Sequence, residues 1–261
     1  MMTNDTDDAD SLDLTEAARA LGVHYQTAYG WVRNETLPAV KVGKTYRVER
    51  TQLDRFAQRR NNGRPPQRIR VRDWGHQIER LAAALDAGNE RAARDVVDRL
   101  IVSPIELCDE LLAPVLRRIG DRWAAGTATV ADEHRASAIC ERLLARIPTR
   151  RTRMRGTAVV TTPAGEHHEL PALMAAIALR WDGWRVHHLA SDIPASDLAE
   201  FLQRERPDLL VLSLTIANEN SARPAREAAE QHGVPVLTGR NGQRLSDLLA
   251  AAQPFTKTRP A

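Results

Sequence analysis

Three kinds of periodicity follow one another along the chain. From Leu14 the apolar positions Leu14, Ala17, Ala18 and Leu21 recur at helical spacing, Gly22 breaks the run, and Ala28, Trp31 and Val32 resume it on a second helix. The stretch LPAVKVGKTYRVER then alternates about Gly43-Lys44, which predicts a hairpin, and TQLDRFAQRR closes the segment as a short amphipathic helix. Between Asp73 and Ile147 helical spacing returns in four runs: WGHQIERLAAALDAG, NERAARDVVDRLIV, IELCDELLAPVLRRIGDRWAA and VADEHRASAICERLLARI. Short connections at Gly88-Asn89, Ser103-Pro104 and Gly126-Thr127, with a Thr129-x-x-Asp132 start signal, predict an antiparallel bundle. Its inner stripe is Leu81, Leu85, Val96, Leu100, Leu107, Leu111 and Val115. Beyond residue 157 the β-rich runs TAVVTT, WRVHHLA, DLLVLSL and VPVLTG alternate with helical stretches, the pattern of a parallel sheet with helices on both faces.

The fold class expected from these patterns is multidomain, α and α/β. An acidic N-terminal stretch, 1–11, is expected to be disordered, followed by a winged helix-turn-helix at 12–60 and a basic linker at 61–72. A four-helix bundle at 73–148 and a linker at 149–156 lead into a Rossmann-like domain at 157–261, whose sheet lacks an obvious fifth strand.

Composition alters this picture little. Hydrophobic residues make up 43% and charged ones 27%, and no run of about 18 apolar residues stands out to cross a bilayer. With no signal-peptide pattern at the start, the expectation is a cytoplasmic protein without a membrane partner. The two cysteines, Cys108 and Cys140, are too far apart for a Cys-x-x-Cys arrangement and read as core thiols. The formal net charge is only +3, but arginines crowd into 59–72 and 150–155, and the first run directly follows the helix-turn-helix pattern, where phosphate contact is expected.

In that pattern the second helix would enter a major groove, with His24, Tyr25, Gln26, Tyr29 and Arg33 on its exposed side. Lys41, Lys44 and Arg47 on the hairpin are candidate phosphate contacts. The stretch LTEAARALGVHYQTAYGWVRNETLPAVKVGKTYRVERTQL resembles the excisionase-type, MerR-related DNA-binding domain, although His24-Tyr25 stands where small polar residues are usual. The resemblance implies double-stranded operator DNA as a partner. Because one such module touches few base pairs, a homo-oligomer, dimer or tetramer, is expected.

Two further groups carry candidate chemistry. Trp123 ends the third bundle helix, and Glu133 and His134 lie about one turn into the fourth; by spacing alone the pair reads as surface and the Trp as core. The loop PAGEHHELP follows the first strand, where ligands of such sheets bind, and a histidine there could be a metal ligand, an acid/base group or a plain loop residue. Both groups resemble the CarH/LitR-type cobalamin-binding regulators, in which a Trp, nine intervening residues and Glu-His mark the helical cap, and Glu/Asp-x-His-x-x-Gly marks the cobalamin-binding domain.

That resemblance implies that Trp123, Glu133 and His134 line the upper face of the cofactor. It makes His168 the cobalt ligand in place of the cofactor's own benzimidazole, with Glu166 holding the other ring nitrogen. Asp192, in DIPASDL, and Ser213 and Gly239 match positions around the lower face and the nucleotide tail, while His167 falls at a variable position. The sequence departs from the family at Pro171 and Arg240, where glycines are expected, Arg240 threatening to crowd the tail channel. Ala124 stands where some photoreceptor members place a second histidine.

The expected function is therefore a non-enzymatic, DNA-binding transcription regulator that senses cobalamin, adenosylcobalamin ahead of methylcobalamin, and responds to light. Two alternatives stand beside it: a regulator that retains the fold without the cofactor, and a corrinoid protein for methyl transfer. No phosphate-cradling glycine loop or nucleophile triad points to catalysis.

Overall fold

The computed structural model describes residues 11–43, 45–63, 69–71, 73–148, 153–216 and 219–256, with main chain alone at 58–63. It divides into two compact units, residues 1–67 and 68–261.

The first unit opens with β1 (Ser11–Asp13) and α1 (Leu14–Ala20). Asp13 accepts from the Thr15 and Glu16 amides while the Glu16 side chain reaches back to the Asp13 amide, a reciprocal cap that fixes where the helix starts. Gly22, at φ +64°, turns the chain toward α2 (Tyr25–Arg33). His24 fills the capping position usually held by a small polar residue, its Nδ1 accepting from the Gln26 amide at 3.4 Å. The hairpin falls as expected, with β2 (Val40–Val42) antiparallel to β3 (Thr45–Glu49) and Val42 opposite Thr45. β1 adds to the other side of β3, giving the order β1-β3-β2. Ser11 is thus in a strand, where a disordered residue was expected. α3 (Arg50–Gly63) runs three residues into the expected linker, because no breaker precedes Gly63.

The bundle of the second unit consists of α4 (Trp74–Asp86), α5 (Glu90–Asp98), a long third rod and α8 (Val130–Leu144). The rod is α6 (Pro104–Leu107), a π-helical turn (Cys108–Leu112) and α7 (Ala113–Ala124). Pro114 offers no amide and its ring crowds the carbonyl of Glu110, so the helix accommodates it by widening just upstream. The inner stripe read from the sequence is buried throughout. Ile69, inside the expected linker, is stitched to the bundle: its amide donates to Arg99 O at 2.7 Å and its carbonyl accepts from Ile101 N at 3.0 Å.

Four parallel strands follow: β4 (Gly156–Thr161), β5 (Trp184–His188), β6 (Leu209–Leu214) and β7 (Val236–Arg240), in the order β5-β4-β6-β7. α9 (Glu169–Asp182) and α12 (Leu245–Ala252) cover one face; α10 (Ala195–Glu205) and α11 (Glu219–Gln231) cover the other. Strand order reverses between β4 and β6, so a crevice opens where the loops after those strands part. α9 is apolar nearly all round because it is buried twice: Ala172, Ala175, Ala176 and Leu179 meet the sheet, while Leu170, Leu173, Met174 and Ile177 meet the bundle.

The bundle also caps α12, which has no side-chain cap of its own. Asp109, its side chain only 4% exposed, accepts from Leu245 N at 2.8 Å and Ser246 N at 3.4 Å, and Glu110 forms an ion pair with Arg244. Replacing Asp109 by alanine is expected to cost about 1–2 kcal/mol, read as a lower urea midpoint, since a capping carboxylate at a helix N-terminus is lost. Cys108 and Cys140 are buried in the bundle core, and burial pushes both thiols up to about 12, Asp109 adding to the effect on Cys108. Both are expected to resist iodoacetamide at about pH 8 and to react only after denaturation, because the thiolate is the nucleophile. Among the described residues no helix is long and apolar enough to cross a membrane.

Candidate functional site

The loop between β4 and α9 is built around a buried carboxylate. Glu166 is fully buried, and its Oε1 lies 2.5 Å from His168 Nδ1 and accepts from the His168 amide at 3.1 Å. Its Oε2 accepts from the Thr215 and Ile216 amides, both at 2.8 Å. These amides belong to the loop after β6, so one side chain ties together the two loops that flank the crevice. A carboxylate at Nδ1 selects the tautomer with its proton there and leaves the Nε2 lone pair available. His168 is the residue before α9 and its side chain is 45% exposed, so the ring is fixed on one edge and open on the other.

Asp192 braces the same loop: its Oδ1 accepts from Gly165 N at 2.8 Å, and its Oδ2 is 3.8 Å from Nδ1 of the exposed His167. Pro171 sits in the first turn of α9, where its missing amide costs no helical hydrogen bond.

Ser213 and Gly239 are register partners at the carboxyl ends of β6 and β7. Val211 and Leu237, two residues before them, pack on the α9/α12 side, so strand alternation places Ser213 and Gly239 on that side too. A Cβ at Gly239 would meet nothing closer than Leu212 O at 3.9 Å, and its φ is not left-handed. The fold itself does not require a glycine there; the small residue leaves an open notch at the edge of the sheet. Arg240 differs from its expectation. Alternation sends its side chain to the other face, where it forms an ion pair with Glu219, itself 3.1 Å from Arg226, and so leaves the Gly239 side uncrowded.

On the bundle, Glu133 and His134 share the start of α8, with His134 Nε2 at 3.6 Å from Glu133 Oε2. Ser137, one turn on, donates to Glu133 Oε1 at 2.6 Å. Trp123 lies across the connection 125–129 and is 51% exposed, so it is no part of the bundle core that spacing alone suggested.

In the first unit, Tyr25, Gln26, Arg33 and Lys41 are exposed. Tyr29 is not on the free face of α2: it is half-buried, stacked on Tyr25 at 6.2 Å between centroids and edge-on to Tyr46 at 6.0 Å. Arg47 is likewise half-buried, donating to Ser11 Oγ at 3.1 Å, which the unforeseen strand β1 places beside it. Lys44 lies outside the described residues.

The pattern did not foresee Thr215, Ile216 and Ser137. The first two act through main-chain amides, which leave no mark in a sequence. Ser137 was legible only as the residue one turn beyond Glu133.

Three family models match the chain: a helix-turn-helix domain over residues 11–61 and B12 binding domains over 77–147 and 156–241. The HTH-type transcriptional repressor CarH of Myxococcus xanthus is 34% identical over 170 residues, 62% of this chain and 56% of that protein. The HTH-type transcriptional repressor CarA of the same organism is 32% identical over 154 residues, covering 58% and 49%. The chain thus spans about half the length of these curated relatives. The fold of the Methanosarcina barkeri monomethylamine corrinoid protein matches 69% of this chain and 98% of that one, with a TM-score of 0.53 at 12% identity. Along the chain, then, a helix-turn-helix match is followed by two B12 binding domain matches, and more than half of its length is similar in sequence to these two repressors.

Proposed function

We propose that the chain is a DNA-binding transcription regulator whose hold on operator DNA is set by a bound cobalamin, adenosylcobalamin in particular, and is released by light. The observation that carries this reading is the His168–Glu166 pair at the carboxyl edge of the sheet: an imidazole with one nitrogen held by a buried carboxylate and the other open. The donor set fits a cobalamin. Among the described residues no three His, Cys, Asp or Glu side chains gather into a metal cage, and a single imidazole serves a metal that arrives in its own macrocycle. The open position at Gly239, beside its register partner Ser213, leaves room for the nucleotide tail at the carboxyl ends of β6 and β7.

When bound, cobalamin would supply a cobalt centre carrying a light-labile organic group, and His168 would be the residue that holds the metal. The chain's own residues do the rest. Glu166 would keep the His168 proton on Nδ1 and leave the Nε2 lone pair free for the metal. Trp123 offers an exposed apolar face, and Glu133, steadied by Ser137, offers acceptors for the hydroxyls of an upper adenosyl group. Tyr25, Gln26 and Arg33 of α2 would face base edges, with Lys41 on phosphate.

Ligand binding and DNA binding are then coupled through a homo-oligomer, and a coupling of roughly 1–3 kcal/mol changes occupancy several-fold or more. The test is to add adenosylcobalamin in darkness, record the visible spectrum and DNA retention in a gel, and then illuminate. A corrinoid spectrum with light-sensitive retention is expected. A chain that takes up no corrinoid and binds DNA alike in both conditions overturns the reading in favour of a regulator that works without the cofactor.

A further inference from the structure

We propose that Thr162 is a positioning residue for His168, acting through Glu166. Thr162 follows β4 and is fully buried. Its hydroxyl uses both kinds of hydrogen-bonding capacity: Oγ1 donates to the Glu166 carbonyl at 2.5 Å and accepts from the Asp192 amide at 2.9 Å. Asp192 returns the link, its carboxylate taking the Gly165 amide at 2.8 Å, and Ile193 N donates to Thr162 O at 3.4 Å. The loop after β4 and the loop after β5 are thereby fastened to each other at this hydroxyl, beside the Thr161 hydroxyl that donates to Ala190 O at 3.2 Å.

The loop after β5 needs such fastening. Ala190 and Asp192 both sit at φ +58°, a conformation that residues with side chains hold only where their surroundings determine it. The loop after β4 needs it for a different reason. Glu166 must present one oxygen to His168 and the other to the Thr215 and Ile216 amides, and it reaches both only from a fixed main-chain position. Thr162 fixes that position at the Glu166 carbonyl. Valine has the same shape and neither function, so it would strand the buried Glu166 carbonyl and take the acceptor from the part-buried Asp192 amide at once.

The inference rests on the reading of His168 as the cobalt ligand, and its test separates the two. In the corrinoid-free chain, nitrogen NMR of the His168 ring is expected to show the tautomer protonated at Nδ1 in wild type and in Thr162→Ser, and a tautomer mixture in Thr162→Val. With adenosylcobalamin added, Thr162→Val is expected to bind about 10- to 100-fold more weakly, the range usual for partners that orient a metal-ligating histidine. Its visible spectrum should shift toward the form in which the corrinoid keeps its own base, while Thr162→Ser stays near wild type. Wild-type tautomer and affinity in Thr162→Val, or equal losses in both variants, overturns the proposal.

Should Thr162→Val fail to fold, amide exchange in the wild type decides. The Gly165 and Asp192 amides are expected to exchange together and as slowly as the adjoining strands, and independent fast exchange overturns the proposal. If the wild type takes up no corrinoid, the functional reading fails, and the NMR readout still tests Thr162.

Discussion

His168→Ala is expected to abolish the corrinoid response while leaving the fold nearly as stable as wild type. The ring is about half exposed and makes no capping bond to α9, so its removal opens no cavity in a core. Glu166 would still accept from the amides of residue 168, Thr215 and Ile216, so no buried charge is stranded. A surface change of this kind costs within about 0.5 kcal/mol. The ligand effect is much larger. Losing the residue proposed to ligate the metal is expected to cost more than the roughly 10- to 100-fold given up when only an orienting partner is lost. Equilibrium dialysis with adenosylcobalamin and a urea melt of the same sample check both halves. Undiminished corrinoid uptake by His168→Ala would remove His168 from the site, and a large drop in the urea midpoint would mark it as structural.

How much of this was legible from the sequence varies with the kind of signal. The bundle and the sheet could be read because their periods are long and each run buries one face or two, and Leu81 through Val115 fall inside as the stripe requires. β1 could not: three residues beside a helix carry no period, and the strand exists only because β3 lies alongside. The same strand places Ser11 beside Arg47, so the half-buried setting of this arginine and the missed strand have one cause. Tyr29 was misplaced because helical spacing gives a face and says nothing of Tyr46 arriving from the hairpin. The π-helical turn left one written sign, Pro114, whose effect falls on the preceding residues.

In the site, Glu166, His168, Ser213 and Gly239 were found through a resemblance, and spacing alone would have left them as loop and strand-end residues. What the structure adds is the reason for their proximity. Glu166 and His168 meet by sequence adjacency, whereas Ser213 and Gly239 meet by strand register, and the loops between them are joined by main-chain groups that no side-chain pattern records. Arg240 shows the converse: read as a substitution it threatens the notch, and read on a strand it points to the opposite face.

Glu166→Ala should behave unlike His168→Ala, losing stability and ligand together. Its carboxylate is fully buried and is held by amides from two loops. Alanine leaves the Thr215 and Ile216 amides and the His168 Nδ1–H without that acceptor, and because these donors are only partly buried each loss falls near the lower end of about 1–3 kcal/mol. The sum is on the order of 3–5 kcal/mol, comparable to breaking a buried charged contact and a large part of a total stability of roughly 5–15 kcal/mol. Glu166→Gln tests the charge separately: the amide group retains one acceptor oxygen but turns an NH2 toward either the Thr215–Ile216 amides or the His168 edge, where donors already stand. It is expected to fall between wild type and alanine in a urea melt and to bind adenosylcobalamin more weakly than wild type. A midpoint for Glu166→Ala within experimental error of wild type would mean that the loops flanking the crevice are held by something other than this carboxylate, and the orientation of His168 would then need a different cause.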